Sequence, residues 1–254
     1  MSSIDTLLIA GCSHSFGAET VSEDYPVHPE SINNAYGKFL SEKLNCKYVN
    51  IAQSGISNFE ISRNIQQYIM NNELDLNKTL IVVGWTDPNR FTFYPTKLIS
   101  VLESLIMKRE FPHNFSAYTI DFAKVYPHIN KCLKCIKSMK YGEEFLLFFR
   151  KNIFSTNYFY DLNYLQRLYT STFLSSLNVK FLTFSTLKEP PYKNTFKYEK
   201  LLATKNNLLE NKDKFDFYDQ FKQYGIYRGG HLKIPAHKAC SDHLYNVLVE
   251  RNIL

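Results

Sequence analysis

The chain lacks the long apolar run that a membrane-spanning helix needs. None of its 254 residues lies in a stretch of about 18 consecutive apolar residues. The N-terminus, MSSIDTLLIAG, has no basic segment ahead of its apolar run, and that run is too short for a secretory signal. These absences predict a soluble protein with no membrane partner, located in the cytoplasm or in a particle made there. There is no disulfide framework either. The five cysteines (Cys12, Cys46, Cys132, Cys135 and Cys240) are odd in number and irregular in spacing, which suits free thiols and a reducing compartment. Cys132 and Cys135 form a C-x-x-C, but no second pair or nearby histidine completes a zinc set. Nor does the pair stand at a strand-to-helix turn, so it reads as structural. Long basic blocks are absent too. The net charge of +6 comes from interspersed charges of both signs, and no nucleic-acid partner is expected. No repeat or low-complexity linker divides the chain.

Apolar runs alternate with amphipathic segments. TLLIAG (6–11), KYVNIA (47–52) and TLIVVGW (79–85) read as strands. NNAYGKFLSEKLN (33–45) has helical spacing, with Tyr36, Phe39, Leu40 and Leu44 on one stripe. SNFEISRNIQQYIMNN (57–72) is a second helix, with Ser57 or Asn58 as its N-cap and Phe59, Ile61, Ile65 and Ile69 as apolar positions. Strand–helix alternation with short connections predicts an α/β fold, a parallel sheet covered by helices on both faces. Residues 95–109 read as helical, and 110–155 as aromatic and irregular with a helix in YGEEFLLFFRKNIF. Residues 157–178 read as a strong amphipathic helix leading into a fourth strand at 179–185. EPPYKN breaks the pattern, and a polar helical stretch follows at 197–215. A glycine turn then precedes a closing helix that begins near Pro235. The whole chain, 1–254, reads as one domain with a helical insertion or lid at about 95–175.

Ligands of open α/β sheets bind at the carboxyl ends of the strands. Polar residues cluster at three such ends: Ser13 after the first strand, Gly55 after the second, and Trp85, Thr86 and Asp87 after the third. His231 sits in the glycine turn near the C-terminus. Acyl transfer needs a nucleophile, a base and oxyanion donors. Ser13 and His231 suit the first two roles. The amides of Ser13 and Gly55, with the Thr86 hydroxyl, suit the third. Taken alone, Ser13 reads more simply as a small residue that lets a strand turn.

In order along the chain, GCSHS resembles the G-D-S-x-S/T block of the SGNH (GDSL) hydrolases. NIAQSGIS resembles their second block, GWTD stands where their G-x-N-D stands, and GGHLKIPAH resembles their histidine block. The match looks most like small phage and bacterial members with G-C-S first and G-G-H last, and it excludes about 95–175. The resemblance implies a flavodoxin-like three-layer α/β/α fold. It also implies a serine esterase without metal or other cofactor, in which Ser13 is the nucleophile, His231 the base, and Ser13, Gly55 and Thr86 the oxyanion hole. The implied substrate is a small acyl ester, such as an acetyl group on a sugar. A phage-encoded member would be virion-associated.

Three positions depart from that pattern. Cys12 replaces an aspartate that is not the nucleophile, and Thr86 replaces an asparagine. The third departure concerns the catalytic acid, which normally precedes the histidine by three residues: that position is Arg228. Asp216, Asp219 or a backbone carbonyl is left to orient His231. The alternative is a scaffold without turnover, binding carbohydrate or serving in a phage particle, with the aromatic insertion as a protein–protein surface. His14, Asn58, Trp85 and Asp87 are candidate pocket residues. Each also has a plainer reading: His14 as structural, Asn58 as a helix cap, Trp85 as core, and Asp87 as a partner of Arg90. His231, His237 and His243 recur at a spacing of six, unlike helical metal ligands. His237 and His243 are expected at the surface or as caps.

Overall fold

The computed structural model describes residues 4–87, 90–93, 118–121, 156–187, 204–208 and 217–254. Its centre is a parallel sheet of four strands: β1 (Thr6–Gly11), β2 (Lys47–Asn50), β3 (Thr79–Trp85) and β6 (Lys180–Ser185), in spatial order β2-β1-β3-β6. The apolar runs of β1 and β3 follow from burial on both faces. Side chains alternate across a strand, so Leu7 and Ile9 of β1 face one core and Leu8 and Ala10 the other. On the first face the sheet packs against α2 (Tyr36–Leu44) and α6 (Ile234–Glu250) through Tyr36, Leu40, Cys240 and Leu244. On the second it packs against α3 (Asn58–Asn71) and α4 (Thr156–Ser176) through Ile61, Ile65 and Leu174. The result is the expected three-layer α/β/α fold.

The chain leaves β1 for β2 on one side and returns to β3 on the other. The switch point therefore lies between the carboxyl ends of β1 and β3, where doubly wound sheets hold ligands. Glycine tightens the layers at one place. A Cβ on Gly37 of α2 would fall 2.4 Å from Ile9 Cγ1, so glycine lets the helix lie close on the sheet.

Several boundaries differ from the sequence reading. Helix α2 starts at Tyr36, because Pro29–Asn34 forms a separate 3-10 turn. Ser57 is the N-cap of α3, its hydroxyl accepting from the Glu60 amide at 3.4 Å. Phe59, read as apolar-face, is half exposed. The stretch read as a polar helix at 197–215 is not helical at 204–208. There Asn206 and Asn207 extend the sheet edge: the Thr183 amide donates to Asn206 O, and the Leu208 amide donates to Thr183 O, each at 2.8 Å. The Asn207 side chain holds this edge by accepting from the Thr183 hydroxyl at 2.6 Å. Just ahead of the span read as a helical insertion lies β4 (Arg90–Phe93), and it pairs antiparallel with β5 (Tyr118–Asp121) inside that span. RFTF and YTID carry the alternating aromatic and β-branched pattern of strands. The readings at 95–109, YGEEFLLFFRKNIF and the C-x-x-C lie outside the described residues, as does nearly all of 110–155. Among the described residues no helix is long and apolar enough to cross a membrane.

His237 is not at the surface. It is buried in α6, and its Nδ1 accepts the Tyr36 amide at 3.2 Å, capping α2 from a neighbouring helix. Burial pushes its pKa down to about 4. On acidification the unfolded chain, with an ordinary histidine, binds the proton first. Stability from neutral His237 is therefore complete above about pH 6.5 and is lost as pH falls through about 4, by about 3 kcal/mol in all. Buried His14 is shifted in the same direction. His237→Asn keeps an acceptor for the Tyr36 amide without a titrating ring. Urea midpoints measured from pH 8 to pH 4 should fall less steeply in this variant than in the wild type. Equal slopes would remove His237 from the account.

Candidate active site

Strand β1 ends at Gly11, and the chain turns at once into the one-turn helix α1 (Ser13–Phe16). Two glycines make this possible. A Cβ on Gly11 (φ +156) would meet Ser15 Oγ at 2.2 Å, and one on Gly84, its partner in β3, would meet the same atom at 2.4 Å. Ser15 thus lies directly on the sheet, where its hydroxyl accepts from the Tyr36 hydroxyl at 2.9 Å. Cys12 is fully buried, and its Sγ contacts the Thr186 hydroxyl at 3.2 Å. Ser13 is therefore the first helical residue at the switch point. Its amide has no use within the helix, as is general for a first turn. Its carbonyl accepts from Gly17 and Ala18 at 3.0 Å each, closing the turn.

The second block is tied to the first. Asn50 at the end of β2 donates from its side chain to Ser15 O at 3.0 Å, and the Gln53 amide donates to Gly11 O at 3.0 Å. Gly55 follows in a turn with φ +82, a conformation that favours glycine, and a Cβ there would face open space. The third block is held by Asn58. Its Oδ1 accepts from the Thr86 amide at 2.8 Å, and its Nδ2 donates to Thr86 O at 3.0 Å and to Asn163 Oδ1. Asn58 is thus occupied as a clamp on the backbone of Thr86. The Thr86 hydroxyl is buried and has no hydrogen-bond partner among the described residues.

Trp85 is wholly buried in the core on the α3 face. Asp87 is partly buried in the turn into β4, where its carbonyl accepts the Arg90 amide at 3.1 Å. His14 is buried against Phe217 and Tyr218, with its ring 5.2 Å from that of His231. Burial, with His231, His237 and Arg90 nearby, pulls its pKa well below the usual histidine range. His14 therefore stays neutral beside His231. Among the described residues no cluster of three His, Cys, Asp or Glu could hold a metal ion.

His231 is carried on a tight hairpin. Gly230 N donates to Tyr227 O at 3.0 Å, Tyr227 N donates to His231 O at 2.8 Å, and Ile226 bridges Leu232. The group on its ring is none of those expected from the sequence. Glu19 Oε2 lies 2.8 Å from His231 Nδ1 and also accepts the His231 amide at 3.2 Å. Asp219 instead pairs with Lys222 at 2.6 Å, and Asp216 lies outside the described residues. Glu19 follows Ser13 by six residues, on the same loop. Its backbone is left-handed at φ +67, which costs a non-glycine residue about 1–2 kcal/mol. No local motif marks it, because the contact spans 212 positions. The only trace in the sequence is indirect: Gly229 leaves room beside the histidine.

No protein-family model matches the sequence, and no curated protein matches it. Solved structures similar in chain path include TesA (12% identity, 98% of this chain and 100% of that one, TM-score 0.48). The psychrotrophic esterase EstA from Pseudoalteromonas sp. is similar at 12% identity over 97% of both chains, with a TM-score of 0.44. A carbohydrate esterase whose active site is described as having divergent catalytic and non-catalytic binding functions is similar at 10% identity. That match covers 97% of this chain and 65% of that one, with a TM-score of 0.48.

Asn58→Ala strips two partners from the buried Thr86 backbone, each worth about 1–3 kcal/mol when left unsatisfied. Chemical denaturation should show a loss of about 2–4 kcal/mol. A loss under about 0.5 kcal/mol would mean that the Thr86 loop does not depend on this clamp.

Proposed function

We propose that the protein is a serine esterase in which Ser13 attacks an acyl ester and His231 is the base. The observation that carries this reading is the carboxylate on His231 Nδ1. With Nδ1–H donated to Glu19, the other ring nitrogen, Nε2, holds the lone pair that a general base needs. The Ser13 hydroxyl proton passes to Nε2 as Oγ bonds to the carbonyl carbon. The Ser13 amide, the Gly55 amide and the unpartnered Thr86 hydroxyl receive the oxyanion. The tetrahedral adduct collapses with cleavage of the ester C–O bond, and the imidazolium returns its proton to the departing alcohol. Water, deprotonated by Nε2, then attacks the acyl-serine and frees the acid and Ser13.

A small acyl ester, such as an O-acetylated sugar, is the substrate class that the SGNH-like blocks imply. The reading as a scaffold without turnover drew on Arg228 in the acid's usual place. A carboxylate delivered from the Ser13 loop removes that reason.

A fluorophosphonate probe should label the wild type at Ser13 and leave Ser13→Ala unlabelled, and p-nitrophenyl acetate should be hydrolysed by the wild type alone. Thr86→Val removes one oxyanion donor and should lower kcat about 100-fold, while Thr86→Ser keeps most of it. No labelling of the wild type, with the ester left intact, would end this reading.

A further inference from the structure

We propose that Glu19 is the carboxylate that positions His231, and that residue 229 is glycine in order to admit it. This rests on the reading of Ser13 and His231 given above.

Four observations converge. First, a single oxygen, Glu19 Oε2, accepts from both the ring and the backbone amide of His231. Ring and main chain are thereby fixed together, which sets the rotation of the imidazole as well as its tautomer. Second, the Glu19 side chain is 3% exposed and that of His231 20% exposed. The acid lies behind the base, and the base keeps a face open.

Third, a Cβ built on Gly229 would fall 1.8 Å from Glu19 Oε1 and 2.5 Å from Glu19 Cδ. The backbone does not call for glycine there, since only Gly230 of the pair has a positive φ, +92. A Cβ on Gly230 would meet nothing, so the two glycines serve different ends: Gly230 makes the turn, and Gly229 leaves the space for the carboxylate. Fourth, Glu19 holds a left-handed backbone that glycine or asparagine would adopt more readily. A strained residue with a buried carboxylate fits a demand from the ring it touches.

A plain structural clamp accounts for less. The hairpin is already tied to this loop by Glu23, whose carboxylate accepts the Arg228 amide at 2.9 Å. Glu19 adds the contact to the imidazole. It accepts Nδ1–H throughout and faces the imidazolium when Nε2 takes the Ser13 proton. The proton stays on the ring, and Glu19 remains a carboxylate. Arg228, the departure in the family's histidine block, and Gly229 beside it then share one cause: the acid comes from the other end of the chain, and its place in the hairpin is cleared.

The test is a set of variants with two readouts. Glu19→Ala should slow fluorophosphonate acylation of Ser13 by about 100- to 10,000-fold. Glu19→Gln should be as slow, because its amide N–H can hold Nδ1 as an acceptor and leave Nε2 protonated. Glu19→Asp should recover part of the rate. Gly229→Ala should be slow in the Glu19 background and cause no further loss in Glu19→Ala, since both changes displace the same carboxylate. The second readout is the proton NMR spectrum of the imidazole N–H groups, with His231→Asn used for assignment. A far-downfield Nδ1–H resonance should be present in the wild type and absent from Glu19→Ala. Acylation of Glu19→Ala within about 3-fold of the wild type would overturn the proposal and leave the esterase reading intact. Additive losses in the double variant would overturn the role of Gly229. If the wild type is not labelled at all, the esterase reading fails and the resonance decides. Its loss in Glu19→Ala would still support the hold on His231, and its persistence would overturn it.

Discussion

The site depends on how closely α1 can lie against the ends of β1 and β3. Ser15 touches the sheet because neither Gly11 nor Gly84 carries a side chain. Any larger residue at either position would lift the turn by more than close packing can absorb. From that seat everything else is placed. Ser13 starts α1, Asn50 reaches Ser15 O from the next strand, and Gly17 and Ala18 close onto Ser13 O. The chain then turns left-handed at Glu19 and delivers its carboxylate back to the hairpin. A close approach of two backbones thus sets the position of a carboxylate six residues further on.

The sheet itself was legible because its signals are local. TLLIAG and TLIVVGW are apolar over the lengths that two covered faces require, and the segments between the strands have helical spacing. Ser57 was readable as a cap for the same reason. The misreadings are places where partners distant in sequence decide the structure. Residues 204–208 lie inside a stretch with helical spacing, yet Thr183 offers its amide, carbonyl and hydroxyl to them, and the edge of the sheet wins. Histidine 237 reads as a polar residue on a helix near the end of the chain. It is buried rather than at the surface, and it meets the other expectation by capping the first amide of α2.

The candidate site divides in the same way. Ser13, Gly55, Thr86 and His231 stand beside turn glycines or at strand ends, and both features can be seen in a single sequence. Glu19 cannot be found so. It lies in GAETVSEDY among other acids, and nothing distinguishes it from Glu23 or Asp24 until the hairpin at 227–231 is folded against it. Asn58 shows a role that no local pattern announces. It was readable as a cap or a pocket residue, and its side chain is spent on the backbone of Thr86.

Three imidazoles lie close together on this side of the sheet, and their surroundings give them different tasks. His14 and His237 are buried and held neutral, so neither places a charge beside the third ring. His237 serves as an acceptor for a helix amide, and His14 packs edge-on against Phe217 and Tyr218. Among the three, the one with a carboxylate on its ring is also the one on a hairpin rather than a helix. A positive charge formed on that ring meets an anion behind it and neutral rings at its side. On the proposed reading, the Ser13 proton goes to the one ring of these three that has a carboxylate, Glu19, on its nitrogen.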